Sequence, residues 1–218
     1  MEPTGFNGRI FREGGRLYTL SAAPGIRVYG ERTPRTGGME YREWDSSRSK
    51  LAAYIANGGE QVPIGIGSRV LYLGASSGTT ASHVSDIASE GRVWCVESAP
   101  RMFRELVENC KPRPNMIPLL ADATKPATYA FAVDCADIVY EDVAQKNQVD
   151  ILADNMGAFG AKYGMVAVKA RSEDVAESPR AVFARAEARL RERGLRITDV
   201  RSLEPWEGSH EMIVVEGR

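Results

Sequence analysis

Short runs of apolar residues alternate with stretches of helical spacing through most of the chain. Four consecutive apolar residues at 70–73 predict a strand that is buried on both faces. Similar runs predict strands at 92–97, 116–120, 137–140, 164–168, 195–200 and 212–215. The clearest helix is predicted over 178–193, where Ser178 caps it, Pro179 occupies its first turn and Gly194 ends it. This alternation predicts an α/β fold.

The first 45 residues have a different pattern, with short β-prone pieces between glycine-marked turns. Turns at 14–15, 24–25 and 37–38 separate pieces at 16–20, 27–29 and 39–42. We therefore predict a small antiparallel β module over residues 1–45 and an α/β domain over residues 46–218. The module alone buries too little surface to be stable, so we expect it to dock on the domain. Asp45 or Ser46 is predicted to cap the helix that follows the module.

A glycine-containing turn follows the first predicted strand of the domain. Gly74 and Gly78 bracket this turn, and helical spacing of apolar residues begins near Thr79. A strand, such a turn and a helix N-terminus form the first unit of many nucleotide-binding sheets, although an ordinary tight turn is the alternative. Glu97 ends the next strand about 20 residues later, where a ribose-binding carboxylate belongs. An acid at this place suits both NAD and S-adenosylmethionine.

Polar residues follow the carboxyl ends of the predicted strands, where ligands bind in open α/β sheets. Beyond the turn they are Glu97 and Ser98, Asp122 and Ala123, Asp142, Val143, Ala144 and Gln145, and Lys169. One such acid can simply cap the next helix. Carboxylates at three successive strand ends, with a lysine at a fourth, favour a shared pocket.

Two further residues are candidates for acid–base catalysis at the same edge of the predicted sheet. Lys169 ends an apolar run and is a candidate general base, with a solvent-facing lysine as the alternative. His210 precedes the last predicted strand. If that strand is antiparallel to its neighbours, His210 lies at the rim of the pocket; a surface histidine is the alternative.

Composition narrows the class of protein. The chain has 218 residues, 43% of them hydrophobic and 26% charged, with a formal net charge of −1, so overall charge does not point to a nucleic-acid partner. No apolar run reaches the roughly 18 residues of a membrane span, and the N-terminus lacks the order of a signal peptide. We therefore expect a cytoplasmic protein. Three scattered cysteines and two histidines argue against a metal site.

Several sequence stretches occur together in one order: RSKLAA at 48–53, YLGASSGTT at 72–80, SHVSD at 82–86, NMIP at 115–118, DA at 122–123, DVAQ at 142–145, KA at 169–170 and LEPW at 203–206. In this combination the chain resembles the fibrillarin family of S-adenosylmethionine-dependent RNA ribose 2′-O-methyltransferases. The resemblance implies a Rossmann-like methyltransferase sheet in an α/β fold, behind the small N-terminal β module. It covers essentially the whole chain and fits the short archaeal form.

The resemblance also implies the site residues. The S-adenosylmethionine site would comprise Gly74, Ala75, Thr79, Thr80, Glu97, Ser98, Asp122, Ala123, Asp142, Val143, Ala144 and Gln145. The catalytic set would be Lys50, Asp142, Lys169 and His210, without a metal. Ser98 stands where the family usually has an aromatic residue. Two turns also depart from the family pattern, at 46–47 and at 161–164.

The family resemblance implies partners as well. They are a box C/D guide RNA that selects the target rRNA or tRNA nucleotide, a Nop-type scaffold protein and a kink-turn-binding protein. No association with a membrane is expected. Two other functions stay open from the residues alone. One is a stand-alone or small-molecule O-methyltransferase, and the other is a non-catalytic scaffold that binds cofactor or RNA.

Overall fold

The computed structural model describes residues 1–6, 8–173 and 176–217. Five strands form an N-terminal antiparallel sheet in the order β1-β2-β3-β5-β4: β1 (Glu2–Pro3), β2 (Ile10–Glu13), β3 (Arg16–Leu20), β4 (Arg35–Thr36) and β5 (Met39–Trp44). Gly14 and Gly15 connect β2 to β3 with φ of 57° and 77°. A turn with two positive φ angles matches the twist of a two-residue hairpin, and glycine adopts it without strain.

Seven strands form the second sheet in the order β11-β12-β10-β9-β6-β7-β8. They are β6 (Arg69–Leu73), β7 (Arg92–Glu97), β8 (Met116–Leu120), β9 (Ile138–Glu141), β10 (Tyr163–Lys169), β11 (Arg196–Ser202) and β12 (His210–Glu216). Strand β12 runs antiparallel to both of its neighbours, whereas β8, β7, β6, β9 and β10 are parallel to one another. Each parallel strand therefore ends at the edge where β12 begins.

Helices cover both faces of this sheet. They are α1 (Lys50–Ala56), α2 (Thr79–Ile87), α3 (Pro100–Cys110), α4 (Gln148–Phe159), α5 (Ala170–Glu173) and α6 (Pro179–Glu192), with a 3-10 turn at Pro126–Thr128. Side chains of β6 alternate between two cores, with Val70 and Tyr72 in one and Leu71 and Leu73 in the other. Because both faces are covered, the strand is a continuous apolar run, as its sequence predicts. No helix among the described residues has the length and apolar character to cross a bilayer.

Two local predictions are wrong for identifiable reasons. Helix α1 is capped by Ser49, whose Oγ accepts from the N–H of Ala52, and not by Asp45 or Ser46. The Asp45 carboxylate instead accepts from the N–H and hydroxyl of Ser47, at 2.8 and 2.7 Å, which forms a turn before the helix. The piece at 27–29 is not a strand, because Glu31 accepts from the N–H groups of residues 28 and 29.

The N-terminal sheet packs on α2 through a buried group of charged side chains. Arg42 of β5 lies 2.7 Å from Asp86 of α2 and 2.6 Å from Glu31, and all three side chains are buried. Arg113, which follows α3, lies 2.7 Å from the other oxygen of Asp86. Asp86 therefore has an arginine on each oxygen, and this pairing compensates the cost of burying its charge. The sheet from 2 to 44 thus docks on the α/β part, as expected.

Candidate active site

The turn between β6 and α2 passes close to the end of β9. Gly74 has φ of 77°, and a Cβ at this position would lie 2.7 Å from the carbonyl oxygen of Asp142. Only glycine permits so close an approach of two backbone segments. Gly78 has φ of 92° at the N-cap of α2. The turn therefore sits directly against Asp142 and leaves a concave surface at the sheet edge.

Glu97, at the end of β7, holds this turn in place. Its two carboxylate oxygens accept from the N–H of Ser76 at 2.8 Å and from the N–H of Ala99 at 2.7 Å. A carboxylate offers about four lone-pair sites, so each oxygen still has capacity for a hydroxyl donor. Glu97 can therefore both order the turn and accept hydrogen bonds from a ligand.

A cavity of about 440 Å³ lies between the turn, β7, β8 and β9. Its lining includes Gly74, Ser76, Val96, Glu97, Ser98, Met102, Ala121, Ala123, Asp142, Val143, Ala144 and Gln145. Gln145 carries a buried Oε1 that has no hydrogen-bond partner in the described part of the chain. An unpaired buried acceptor is costly, so a ligand with a donor group would stabilise it. The cavity is therefore a candidate binding site.

Asp142 joins this cavity to a basic cluster. Lys169 Nζ lies 2.8 Å from its Oδ1, and Lys50 Nζ lies 3.3 Å from the same oxygen. The Nζ of Lys169 also donates to the carbonyl oxygens of Asp142 and Val143, both at 3.0 Å. Lys169 Nζ thus donates two hydrogen bonds to carbonyl oxygens and forms an ion pair with the Asp142 carboxylate. These three side chains are 13 to 16% exposed, so the cluster is largely screened from solvent but still open to contact by a bound molecule.

His210 completes the cluster at the start of β12. It is paired with Lys169 in the antiparallel register between β10 and β12, so it lies at the edge where the parallel strands end. Its Nδ1 is 2.7 Å from the carbonyl oxygen of Gly208. Partial burial lowers the pKa of His210 below its usual value, and the nearby Lys50 and Lys169 lower it further. The imidazole is therefore favoured in its neutral form.

A family model described as Fibrillarin matches residues 6–218 of the chain. This chain belongs to the fibrillarin family. The fibrillarin-like rRNA/tRNA 2′-O-methyltransferase of Methanothermobacter thermautotrophicus is 48% identical over 217 residues, which are 99% of this chain and 96% of that protein. This fibrillarin family member also resembles solved structures across nearly its whole length.

One solved structure is Aeropyrum pernix fibrillarin in complex with natively bound S-adenosyl-L-methionine. It is 45% identical, with a TM-score of 0.85 over 92% of this chain and 88% of that chain. Another is the fibrillarin of a fibrillarin/Nop5p complex, 38% identical with a TM-score of 0.88 over 96% of this chain and 98% of that one. The predicted fold class, a methyltransferase-type α/β sheet with a small antiparallel N-terminal sheet, is confirmed.

Not every predicted cofactor residue of this fibrillarin lies on the cavity wall. Ala75 is buried in the turn, and the hydroxyl of Thr80 donates to Ser49 at 3.0 Å, which ties α2 to the cap of α1. Thr79 begins α2 without lining the cavity, and Asp122 lies between two lining alanines. The N–H and hydroxyl of Thr124, followed by smaller contributions that include Gln145, hold the pKa of the Asp122 carboxyl below its usual range.

The cavity also contains residues that the sequence did not indicate. Ser76 has φ of 51° and turns its N–H towards Glu97, and Met102 comes from the first turn of α3. Neither residue type is distinctive at a strand end. The position of Met102 in the first turn of the helix that follows β7 is a signal that could have indicated it, because the start of that helix lies at the carboxyl edge of the sheet.

Proposed function

We propose that this fibrillarin-family chain transfers a methyl group from S-adenosylmethionine to a ribose 2′-hydroxyl of rRNA or tRNA. In this proposal it is the catalytic subunit of a guide-RNA-directed box C/D ribonucleoprotein. The observation that carries the proposal is Asp142, because one carboxylate borders the ligand cavity and pairs with both lysines of the basic cluster. The 48% identical rRNA/tRNA 2′-O-methyltransferase supports the same reaction, and the S-adenosyl-L-methionine bound to Aeropyrum pernix fibrillarin supports the same cofactor.

The cavity residues fit S-adenosylmethionine by their chemistry. This molecule carries a ribose diol, an ammonium group and a positively charged sulfur, all of which favour carboxylate or carbonyl partners. The carboxylate oxygens of Glu97 can accept further hydrogen bonds from hydroxyls, and the unpaired Oε1 of Gln145 can accept one from a donor group of the ligand. Asp142 supplies negative charge at the boundary with the basic cluster. Predicted cofactor residues off the wall, such as Thr80 and Asp122, would act by holding the wall in position.

S-adenosylmethionine supplies an electrophilic methyl group when it is bound. A free 2′-hydroxyl is a weak nucleophile, so a base within hydrogen-bond reach accelerates its attack. We assign that role to Lys169, whose Nζ in its neutral form would accept the hydroxyl proton. Asp142 and the carbonyl oxygen of Val143 would then stabilise the ammonium that forms.

Lys50 and His210 would position the ribose and its phosphate. Lys50 Nζ contacts Asp142 at 3.3 Å and Glu207 at 3.8 Å, which fixes the ammonium between two carboxylates while leaving a donor for the RNA. His210, neutral at neutral pH, can donate or accept a hydrogen bond at the rim. Alignment of hydroxyl and methyl carbon supplies much of the catalysis in such a transfer.

The partners belong to the proposal as well. A fibrillarin/Nop5p complex among the similar structures supports a Nop-type scaffold protein as a partner of this chain. A box C/D guide RNA and a kink-turn-binding protein would complete the particle, and base pairing with the guide would select the nucleotide. The chain's net charge of −1 agrees with a division of labour in which other components hold the RNA.

Two measurements test the proposal. Calorimetry should show binding of S-adenosylmethionine, and Glu97→Ala should weaken it by about 1–3 kcal/mol because a hydrogen bond to a charged group is lost. Glu108→Ala, on the exposed surface of α3, is the matched control and should leave binding unchanged. RNA incubated with the assembled particle and labelled cofactor should then yield 2′-O-methylated nucleosides. Label on the bases alone, or no label, would contradict the proposed function.

A further inference from the structure

One tryptophan lies exposed next to the basic cluster. Trp44 and Trp94 are each 1% exposed and belong to the core, whereas Trp206 is 45% exposed. The chain has three tryptophans in all. The indole of Trp206 has no hydrogen-bond, aromatic or cation partner among the residues that the structure describes. A single exposed hydrophobic residue is ordinary on a protein surface, so what favours a contact with another molecule is where Trp206 lies in the fold.

Trp206 belongs to the loop that connects β11 to β12, and both sides of this loop reach the cluster. The next residue, Glu207, lies 3.8 Å from Lys50 Nζ. Four residues after Trp206 comes His210, which is paired with Lys169 across the sheet. Trp206 therefore stands on a loop whose next residues, Glu207 and His210, belong to the surroundings of the proposed ribose site.

The loop is fixed by contacts that do not involve the indole. Leu203 is fully buried, its N–H donates to the carbonyl oxygen of His210 at 3.0 Å, and its own carbonyl accepts from the N–H of Glu207 at 3.0 Å. Asn57, after α1, donates to the carbonyl oxygens of Ser202 and Glu204 at 2.8 and 2.7 Å. A ring on such a loop loses little conformational freedom when it binds.

We propose that Trp206 is a positioning residue that packs its indole on the nucleotide beside the target ribose. This inference rests on the proposed function, because it takes RNA as the substrate. Glu204 and Glu207 flank the ring, so phosphate attraction is weak here, and an aromatic surface is the contact that the loop offers. Stacking on an aromatic side chain tolerates any base, so it suits an enzyme whose target is chosen by a guide.

Fluorescence tests the contact directly. Because Trp44 and Trp94 are buried, quenching by an added RNA oligonucleotide reports on Trp206. Because other components hold the RNA in this account, the target oligonucleotide is added to a particle assembled with scaffold and kink-turn-binding proteins that lack tryptophan. There we expect the parent chain to be quenched and Trp206→Phe, which keeps the two buried tryptophans, to show no response. Inorganic polyphosphate, which has charge but no bases or sugars, should not quench the parent. An unquenched parent, or equal quenching by polyphosphate, would overturn the proposal, as would a response to the scaffold protein but not to RNA.

Methyl transfer in the assembled particle tests the role. At subsaturating target RNA, Trp206→Ala should lower kcat/KM roughly 5- to 150-fold, the effect of losing one stacked base, and Trp206→Tyr should recover most of it. Cofactor binding by calorimetry should be unchanged in both variants. Any of three results would overturn the positioning role. They are a kcat/KM of Trp206→Ala within twofold of the parent, a loss of kcat/KM that Trp206→Tyr does not recover, and weaker cofactor binding in either variant. If the parent transfers no methyl group, the proposed function fails, while the fluorescence test of the RNA contact still stands.

Discussion

At the scale of single residues, Lys169 carries the catalytic proposal. Lys169→Ala should slow the methyl-transfer step about 10²- to 10⁴-fold, which is the usual contribution of a positioned base. Lys169→Arg should not restore the rate, because a guanidinium stays protonated at any working pH. Single-turnover kinetics in the assembled particle isolate this step from product release.

Cofactor binding by Lys169→Ala is the control for this comparison, and it should match the parent because Lys169 does not line the cavity. A variant that retains methyl transfer within a few-fold of the parent would show that Lys169 is not the base. Catalysis would then rest on alignment, with Lys50 as the next residue to substitute.

The buried carboxyl of Glu141 should make the folding stability of the chain depend on pH. Its carboxyl is fully buried and has no hydrogen-bond partner within the described residues, and burial raises its pKa well above the ordinary value of 4.5. Between the unfolded and the folded pKa, the folded state binds more protons, so folding stability falls as pH rises through that interval. Glu141→Gln removes this penalty because an amide does not ionise.

The measurement is the midpoint of thermal unfolding between pH 5 and pH 9. We expect Glu141→Gln to unfold at a higher temperature than the parent, by a margin that widens with pH until the folded pKa is passed. A margin that stays constant over this range would mean that the side chain does not titrate as its burial indicates.

At the scale of elements, the turn between β6 and α2 depends on one glycine. Gly74→Ala would bring a Cβ within 2.7 Å of the Asp142 carbonyl oxygen and would strain a positive φ. We expect about 5- to 30-fold weaker binding of S-adenosylmethionine in calorimetry, since about 1–2 kcal/mol of strain falls on the cavity wall. The control is Gly157→Ala in α4, where nothing lies within 4 Å. Equal cofactor affinity in parent and Gly74→Ala would contradict this account of the turn.

The docking of the N-terminal sheet depends on a second element, α2. Asp86→Ala would leave Arg42 and Arg113 buried without their shared partner, and we expect a loss of about 3–5 kcal/mol in the free energy of unfolding. Asp154→Ala, which removes an exposed pair with Arg193, should cost less than about 1 kcal/mol. Denaturant titration measures both. A similar small cost for the two variants would mean that the buried group does not hold the sheets together.

These examples show which elements the sequence predicts and which it does not. Strand β6 is predictable because burial on both faces leaves an unbroken apolar run. The cap of α1 is not, because Asp45, Ser46 and Ser49 all favour such positions and only the turn of Asp45 with Ser47 decides between them. The pairing of Arg42 with Asp86 spans 44 residues and has no local signal.

The candidate site also contains residues that the sequence predicts and residues that it does not. The acids and Lys169 at strand ends are predictable, because parallel strands end at one edge and polar residues there stand out in the sequence. Lys50, in α1, is indicated only by the family resemblance. Met102 and Ser76 contribute through the shape of the cavity, which depends on how α3 and the turn pack. Residues that contribute only to the shape of the cavity can be identified from the folded structure but not from the sequence.

At the scale of the whole molecule, the charge distribution limits what the chain can do alone. A net charge of −1 gives little general attraction for the phosphate backbone, whose binding scales with the number of phosphates neutralised. We therefore expect the isolated chain to bind S-adenosylmethionine but to methylate free RNA poorly, and the assembled particle to restore activity. Labelled methyl incorporation measures the difference, and efficient site-specific modification by the isolated chain would point to a stand-alone enzyme.

The most direct test of the account is a map of ribose methylation in particles reconstituted with two different guide RNAs. One target RNA carries both complementary sites, and each particle contains this chain, the scaffold protein and the kink-turn-binding protein. We expect 2′-O-methylation at one site with the first guide and at the other site with the second, and at neither with Lys169→Ala. Methylation at the same nucleotide regardless of guide, or at no ribose with either guide, would contradict the account.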